Sequence, residues 1–100
     1  MSCYAIGHIT VTNPDGYKEY AAQVPALIAA HGGKYLVRGG ECTDVEGTMP
    51  HQRHVVLEFP TRQSLEGWYH SAEYQQILKI RLANSEGVMT IVDGFDGFDG

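Results

Sequence analysis

Basic clusters are missing from this chain. Lysine and arginine number 7 against 12 acidic residues, for a formal net charge of −5. Broad nucleic-acid binding needs basic patches that release counterions from phosphates, and scattered bases such as Lys18, Lys34, Arg53 and Lys79 make none. Long hydrophobic runs are also missing. Val55-Val56-Leu57 is typical of the longest and far too short to span a bilayer, so no membrane partner is expected. No secretory h-region follows Met1, because Tyr4, His8 and Thr10 interrupt the apolar residues, and a cytoplasmic location is the expectation. Cysteine is scarce. Cys3 and Cys42 form neither a C-x-x-C pair nor a zinc spacing, and they read as reduced thiols. There is no G-x-G-x-x-G and no phosphate loop, and Gly-Trp-Tyr-His (67–70) is no nucleophile elbow, so no cofactor is expected. His51 and His54, three apart on a strand, would point to opposite faces and could not share a metal ion.

What is present is a regular alternation of strand and helix signals within 100 residues, enough for one domain. Tyr4 to Thr12 reads as a strand rich in β-branched residues. Asn13-Pro14-Asp15 is a helix start, with a capping side chain, a proline at the first helical position and an acid at the positive end of the dipole. The helix runs to about His31, with Tyr17, Tyr20, Ala21, Val24, Leu27, Ile28 and His31 on one stripe. Pro25 inside it costs a backbone hydrogen bond. Gly32-Gly33 stops it. Lys34 to Gly40 is a second strand, with pairing expected to resume around Cys42 to Val45. Gly39-Gly40 implies a bulge or a close backbone approach. After a polar loop, Arg53 to Phe59 is the clearest strand, ended by Pro60. Thr61 and Ser71 are two further caps, giving two short helices with a break near His70. The first carries Leu65, Trp68 and Tyr69, the second Ala72, Ile77, Leu78, Arg81 and Leu82. Glu86-Gly87 is expected to end the second helix, and Val88 to Asp93 to form the fourth strand. The boundaries are thus a domain over 1–94 and an acidic Phe-Asp-Gly tail over 95–100, expected to be flexible.

The order βαββαβ is the ferredoxin-like α+β arrangement. Both crossovers are long enough for parallel pairing of strands one and three, and right-handed connections put both helices on one face of the sheet. Strand three is apolar on both alternations, with Val55, Leu57 and Phe59 on one and Val56 on the other. Such a strand needs cover on both sides, and a second copy of the sheet in a symmetric homodimer supplies it.

A resemblance is carried by Leu36-Val37-Arg38-Gly39-Gly40, Glu46-Gly47, Val55-Val56-Leu57-Glu58-Phe59-Pro60, Trp68-Tyr69, Ser71-Ala72-Glu73-Tyr74-Gln75, Arg81 and Ile91-Val92-Asp93-Gly94. In this order, from Tyr4 to Gly94, the motifs resemble the domain-of-unknown-function family 1330 of the dimeric α/β-barrel superfamily. Ala72 departs from the family's usual proline. The resemblance implies a ferredoxin-like βαββαβ sandwich that forms a dimeric α/β barrel, and no particular activity. The wider superfamily includes cofactor-free monooxygenases of polyketide quinones, lactone isomerases, polyketide cyclases, haem-degrading enzymes and ligand-binding regulatory domains. Fold analogy does not choose among them.

The candidate catalytic residues are Arg38, His8 and Glu58. A guanidinium in an apolar strand beside two glycines could hold a carboxylate, enolate or phenolate. Its alternative is a structural ion pair with Glu58 or Glu46. Glu58, inside the most apolar strand, would have a raised pKa if desolvated and could act as acid or base. Its alternatives are a structural ion pair or an exposed edge. His8 could move a proton near neutrality or be a hydrogen-bonded core residue. Trp68, Tyr69, Tyr20 and Tyr17 could line a pocket for a flat ligand or be plain core, and Arg81 could add an anion contact or only cap its helix. Three functions follow: a small cofactor-free isomerase, cyclase or monooxygenase acting on an anionic or aromatic metabolite; a non-catalytic ligand-binding dimer; or a structural interaction module.

Overall fold

A computed structural model describes residues 1–95. Its elements are β1 (Cys3–Val11), α1 (Pro14–Ala30), β2 (Lys34–Arg38), β3 (Arg53–Phe59), α2 (Arg62–Tyr69), α3 (Ala72–Asn84) and β4 (Ser85–Asp93). The caps form as the side chains require. Asn13, Thr61 and Ser71 accept from the amides of Gly16, Ser64 and Tyr74, one for each helix. The break between α2 and α3 falls at His70 and Ser71, where Ser71 both ends one helix, through Trp68 O, and opens the next.

The sheet order is β2-β3-β1-β4, and every neighbouring pair is antiparallel. The expected parallel pairing of strands one and three is therefore corrected. The crossover through α1 returns the chain in the direction of β1 but one place further out, and β3 turns back to fill the gap. Two other expectations fail beside it. No strand forms over 42–45, because Gly39 and Gly40 both take positive φ, 77° and 84°, and lead the chain off the sheet. Glu86-Gly87 does not end α3 but lies inside β4, which follows Asn84 without a loop. The expected bulge sits earlier than the glycines, between Tyr35 and Val37.

Alternation along the strands makes two unlike faces. Cys3, Ala5, Ile9, Val55, Leu57 and Phe59 are buried beneath the helices with Tyr17, Tyr20, Val24, Ile28, Leu65, Trp68, Tyr74, Ile77 and Leu78. The opposite face carries Ile6 beside Val56, with Val37, Val88 and Val92 around them, and these three valines are 39%, 55% and 41% exposed. Leu82 also points outward, so the second short helix buries Tyr74, Ile77, Leu78 and Arg81 instead. Of the expected tail, Phe95 is exposed and 96–100 lie outside the described residues.

Gly87 keeps β4 close to β1. Its φ is +151°, and a Cβ there would run into the carbonyl of His8. Gly87→Ala should lower stability by about 1–3 kcal/mol, read as a lower midpoint of urea unfolding. An unchanged midpoint would show that the start of β4 is free to move away from β1.

Candidate functional site

The space between the helices and the sheet gathers arginines that the sequence keeps apart. Arg38, Arg53 and Arg81 line one crevice with Tyr17, Tyr20, Tyr35 and Trp68. Each arrives by a local rule. Arg53 opens β3 and shares the alternation of Val55, Leu57 and Phe59, which faces the helices. Arg81 follows Tyr74, Ile77 and Leu78 on the buried stripe of α3. Arg38 depends on the bulge. Tyr35 pairs with Leu57 and Arg38 with Val55, so both face the helices although they lie three positions apart. A regular strand would turn Arg38 to the opposite side.

Two backbone features make room for these side chains. Pro25 has no amide to give the carbonyl of Ala21, four residues earlier in α1. That oxygen accepts a hydrogen bond from Arg38 Nη2 at 2.7 Å. At Gly39, a Cβ would stand 3.0 Å from Arg53 Nη1, so the glycine leaves space for that guanidinium.

The crevice is cationic and uncompensated. Among the described residues the ion pairs are Lys34–Glu58, Arg62–Glu66 and Arg62–Asp93, and none involves Arg38, Arg53 or Arg81. Among the described residues, no acidic one lines the crevice. The three guanidinium groups lie instead near tyrosine rings, Arg38 4.8 Å from Tyr35, Arg53 5.5 Å from Tyr17 and Arg81 5.9 Å from Tyr20. Burial pushes Tyr20, Tyr74 and Tyr35 above the ordinary tyrosine value, and Tyr20 and Tyr74 bond to each other through their hydroxyls at 2.8 Å. Arg81 is only 7% exposed. Buried donors without a partner among the described residues are Arg53 Nε, Arg81 Nε and Trp68 Nε1, and all three belong to side chains that line this crevice. A buried unpaired donor costs stability, about 1–3 kcal/mol for a neutral group and more for a charged one.

The crevice encloses about 20 Å³, room for one water. Beside it, a cleft of about 340 Å³ is lined by Ala5, Leu65, Trp68, Tyr69, His70, Met89 and Ile91. The expected ligand-binding residues thus divide. Tyr17, Tyr20 and Arg81 border the crevice, Tyr69 borders the cleft, and Trp68 borders both. Trp68 is also core, with Phe59 stacked at 5.4 Å and Tyr74 at 4.3 Å.

The expected catalytic residues divide too. Arg38 faces the helices. His8 and Glu58 belong to the alternation of β1 and β3 that faces away from them, and they cannot act with Arg38 on one ligand within a protomer. Glu58 is held by Lys34 at 3.4 Å and accepts from Tyr4 Oη at 3.0 Å. Its pKa is lowered, first by the Tyr4 hydrogen bond, against the expectation of a raised one. His8 Nδ1 lies 2.9 Å from His54 Nδ1. His51 lies outside any strand and reaches Thr10 Oγ1 at 2.8 Å, so His51 and His54 approach the same face of β1, contrary to the expectation of opposite faces. No cluster of three metal-ligating side chains occurs among the described residues.

Sequence reasoning missed Arg53 and Tyr35 as site residues. Arg53 could have been found, since its separation from Val55 and Leu57 is even. Arg38 was expected, and the bulge is what turns it to the same face as Tyr35.

A family model described as "Domain of unknown function (DUF1330)" matches residues 2–95, and the chain belongs to this family. No functionally curated protein matches it. Among solved structures, a protein of unknown function from Rhodopseudomonas palustris superposes with a TM-score of 0.71 at 12% identity, over 89% of this chain and 80% of that one. SnoaB from Streptomyces nogalater, a cofactor-independent oxygenase, gives 0.63 at 12% identity, over 99% and 98%. A dabb family protein with a ferredoxin-like fold from Mesorhizobium loti gives 0.67 at 8% identity, over 94% and 97%. At such identities the likeness establishes the fold.

The arrangement predicts an unusual response to substitution. Breaking a buried ion pair strands a carboxylate and costs about 3–5 kcal/mol, whereas Arg81 has no carboxylate to strand. Arg81→Met should keep the urea midpoint or raise it. A loss of several kcal/mol would mean that Arg81 is a structural residue of the α1–α3 interface.

Proposed function

We propose that this member of the family binds a small organic anion between its helices and its sheet, and that it acts on that anion as a cofactor-free enzyme of the isomerase, cyclase or monooxygenase type. The observation that carries the reading is the meeting of three guanidinium groups with no carboxylate among them. A permanently charged group left unpaired inside a protein favours any anion that can reach it. A carboxylate, enolate or phenolate would accept from Arg81, Arg53 and Trp68 at once, and Arg38, at the exposed edge of the crevice, would close over it. Holding an enolate or phenolate in that form lowers the barrier of any reaction that passes through it, because the donors already stand where charge develops. The fold shared with a cofactor-independent oxygenase supports the same class of chemistry.

A second reading is favoured by the lining itself. It contains no carboxylate and no histidine, so no ordinary general base faces the anion within a protomer. An acidic metabolite that ionises unaided could react there, whereas one that needs proton abstraction would be bound and left unchanged. The protein would then be a ligand-binding dimer. A cytoplasmic setting suits either reading, since Cys3 and Cys42 are both free thiols.

One experiment separates these. The purified protein is soaked in a metabolite extract, washed, and its retained small molecules are identified by mass spectrometry beside those of Arg81→Met. An anion retained by the parent protein and lost from the variant is expected. Its recovery in altered form means an enzyme, and its recovery intact means a binding protein. Retention of no anion would overturn both.

The apolar band of Ile6, Val37, Val56, Val88 and Val92 on the open sheet face supports a symmetric homodimer built on that face. Light scattering should give the mass of two chains at micromolar concentration. Val56→Glu, in the middle of the band, should shift the protein to the mass of one. A stable monomer of the parent protein would rule the dimer out.

A further inference from the structure

The arginine crevice is too small for any organic ligand as it stands, and the neighbouring cleft is large enough but nearly uncharged. Trp68 and Met89 are the residues that line both. Trp68 is fully buried and wedged among Phe59, Tyr69 and Tyr74, so it is a fixed wall. Met89 is different. It is half-buried on β4, an outer strand of the sheet, and it is unbranched with three rotatable bonds. Its side chain lies over Gly7 of β1, where a Cβ would stand 3.2 Å from Met89 Cε. The glycine gives Met89 the room to lie across the sheet between the two spaces.

Resting on the anion-binding reading above, we infer that crevice and cleft are the two halves of one ligand site, parted by the side chain of Met89, and that the site takes a monoanion with a small ring attached. The charged head accepts from Arg81 Nε, Arg53 Nε and Trp68 Nε1, which have no partner among the described residues. The ring replaces Met89 beside Gly7 and lies in the cleft against Trp68, Tyr69 and Ile91. Each half supplies what the other lacks. The cleft offers apolar wall and volume, at the small end of the roughly 300–1,000 Å³ of ordinary ligand pockets. The crevice offers charge without volume. With Met89 displaced, a bare anion such as acetate meets the charge of the crevice but leaves the cleft unfilled, and a neutral ring fills the cleft but leaves the charge unmet. Arylcarboxylates and phenolates of one ring satisfy both.

Trp68 is the single tryptophan of the chain, so its indole N–H gives one resonance that reports on both halves. The test titrates the intact protein with acetate, benzoate, cyclohexanecarboxylate and benzyl alcohol, following that resonance by ¹⁵N–¹H correlation spectroscopy. Benzoate and cyclohexanecarboxylate should bind at least about tenfold more tightly than acetate, since burying the ring removes on the order of 100 Å² of apolar surface from water. Benzyl alcohol should bind more weakly than benzoate. In Ile91→Phe, which fills the cleft, the ratio of benzoate to acetate affinity should fall toward one. Circular dichroism checks that the variant folds, and the series on the parent protein stands without it. Equal affinity for acetate and benzoate would overturn the two-part site and leave the anion reading in place. Failure of every anion to bind would overturn the anion reading itself, and this inference with it.

Discussion

Arginine charge gathered where no described carboxylate stands is the constraint around which this domain is arranged. The chain has four arginines, and three of them line one crevice. The fourth, Arg62, behaves as a surface residue does, pairing with Asp93 and Glu66. The neutral phenols of Tyr20, Tyr35 and Tyr74 surround the buried charges without cancelling them. Such an arrangement costs a fold stability that an apolar lining would not. Among the described residues the acids are numerous and none lines the crevice, which is how a net negative chain can carry a cationic crevice.

The sheet also sorts its chemistry by face. Arg38, Arg53, Tyr35 and Met89 turn toward the helices, and His8, His54, Tyr4, Glu58 and Lys34 turn away. The second set is mutually satisfied. Glu58 is held by Lys34 and Tyr4, and His8 by His54. These satisfied polar groups flank the band of valines on the open face. In the first set Arg53 Nε has no partner among the described residues.

Much of the fold was legible in residues whose chemistry is local. Asn13, Thr61 and Ser71 announced three helix starts, and the alternation of Val55, Leu57 and Phe59 announced β3. Strand direction was less legible, because the length of a crossover says that two strands run the same way and not that they touch. Gly87 misled because a glycine that ends a helix and a glycine that lets two strands approach look alike in sequence. The site was half legible. Arg38 and Trp68 stood out as single residues, and they do border one crevice. Their company could not be read. The bulge between Tyr35 and Val37 changes the parity of β2, and parity decides which face every later residue of a strand occupies. His8 and Glu58 were grouped with Arg38 for want of that parity.

Pro25 has a consequence for how the mouth of the crevice behaves over time. An exposed arginine normally samples many rotamers, at an entropic cost whenever a ligand recruits one of them. The proline frees a main-chain oxygen in the middle of α1, and Arg38 is moored to it. That carbonyl is rigid, being part of the helix, and it is not an anion, so it orders the guanidinium without neutralising it. The cation is thus pre-set beside the opening with its charge intact. The order at the mouth of the crevice thus comes from Pro25, a residue four positions along the helix from the oxygen that Arg38 holds.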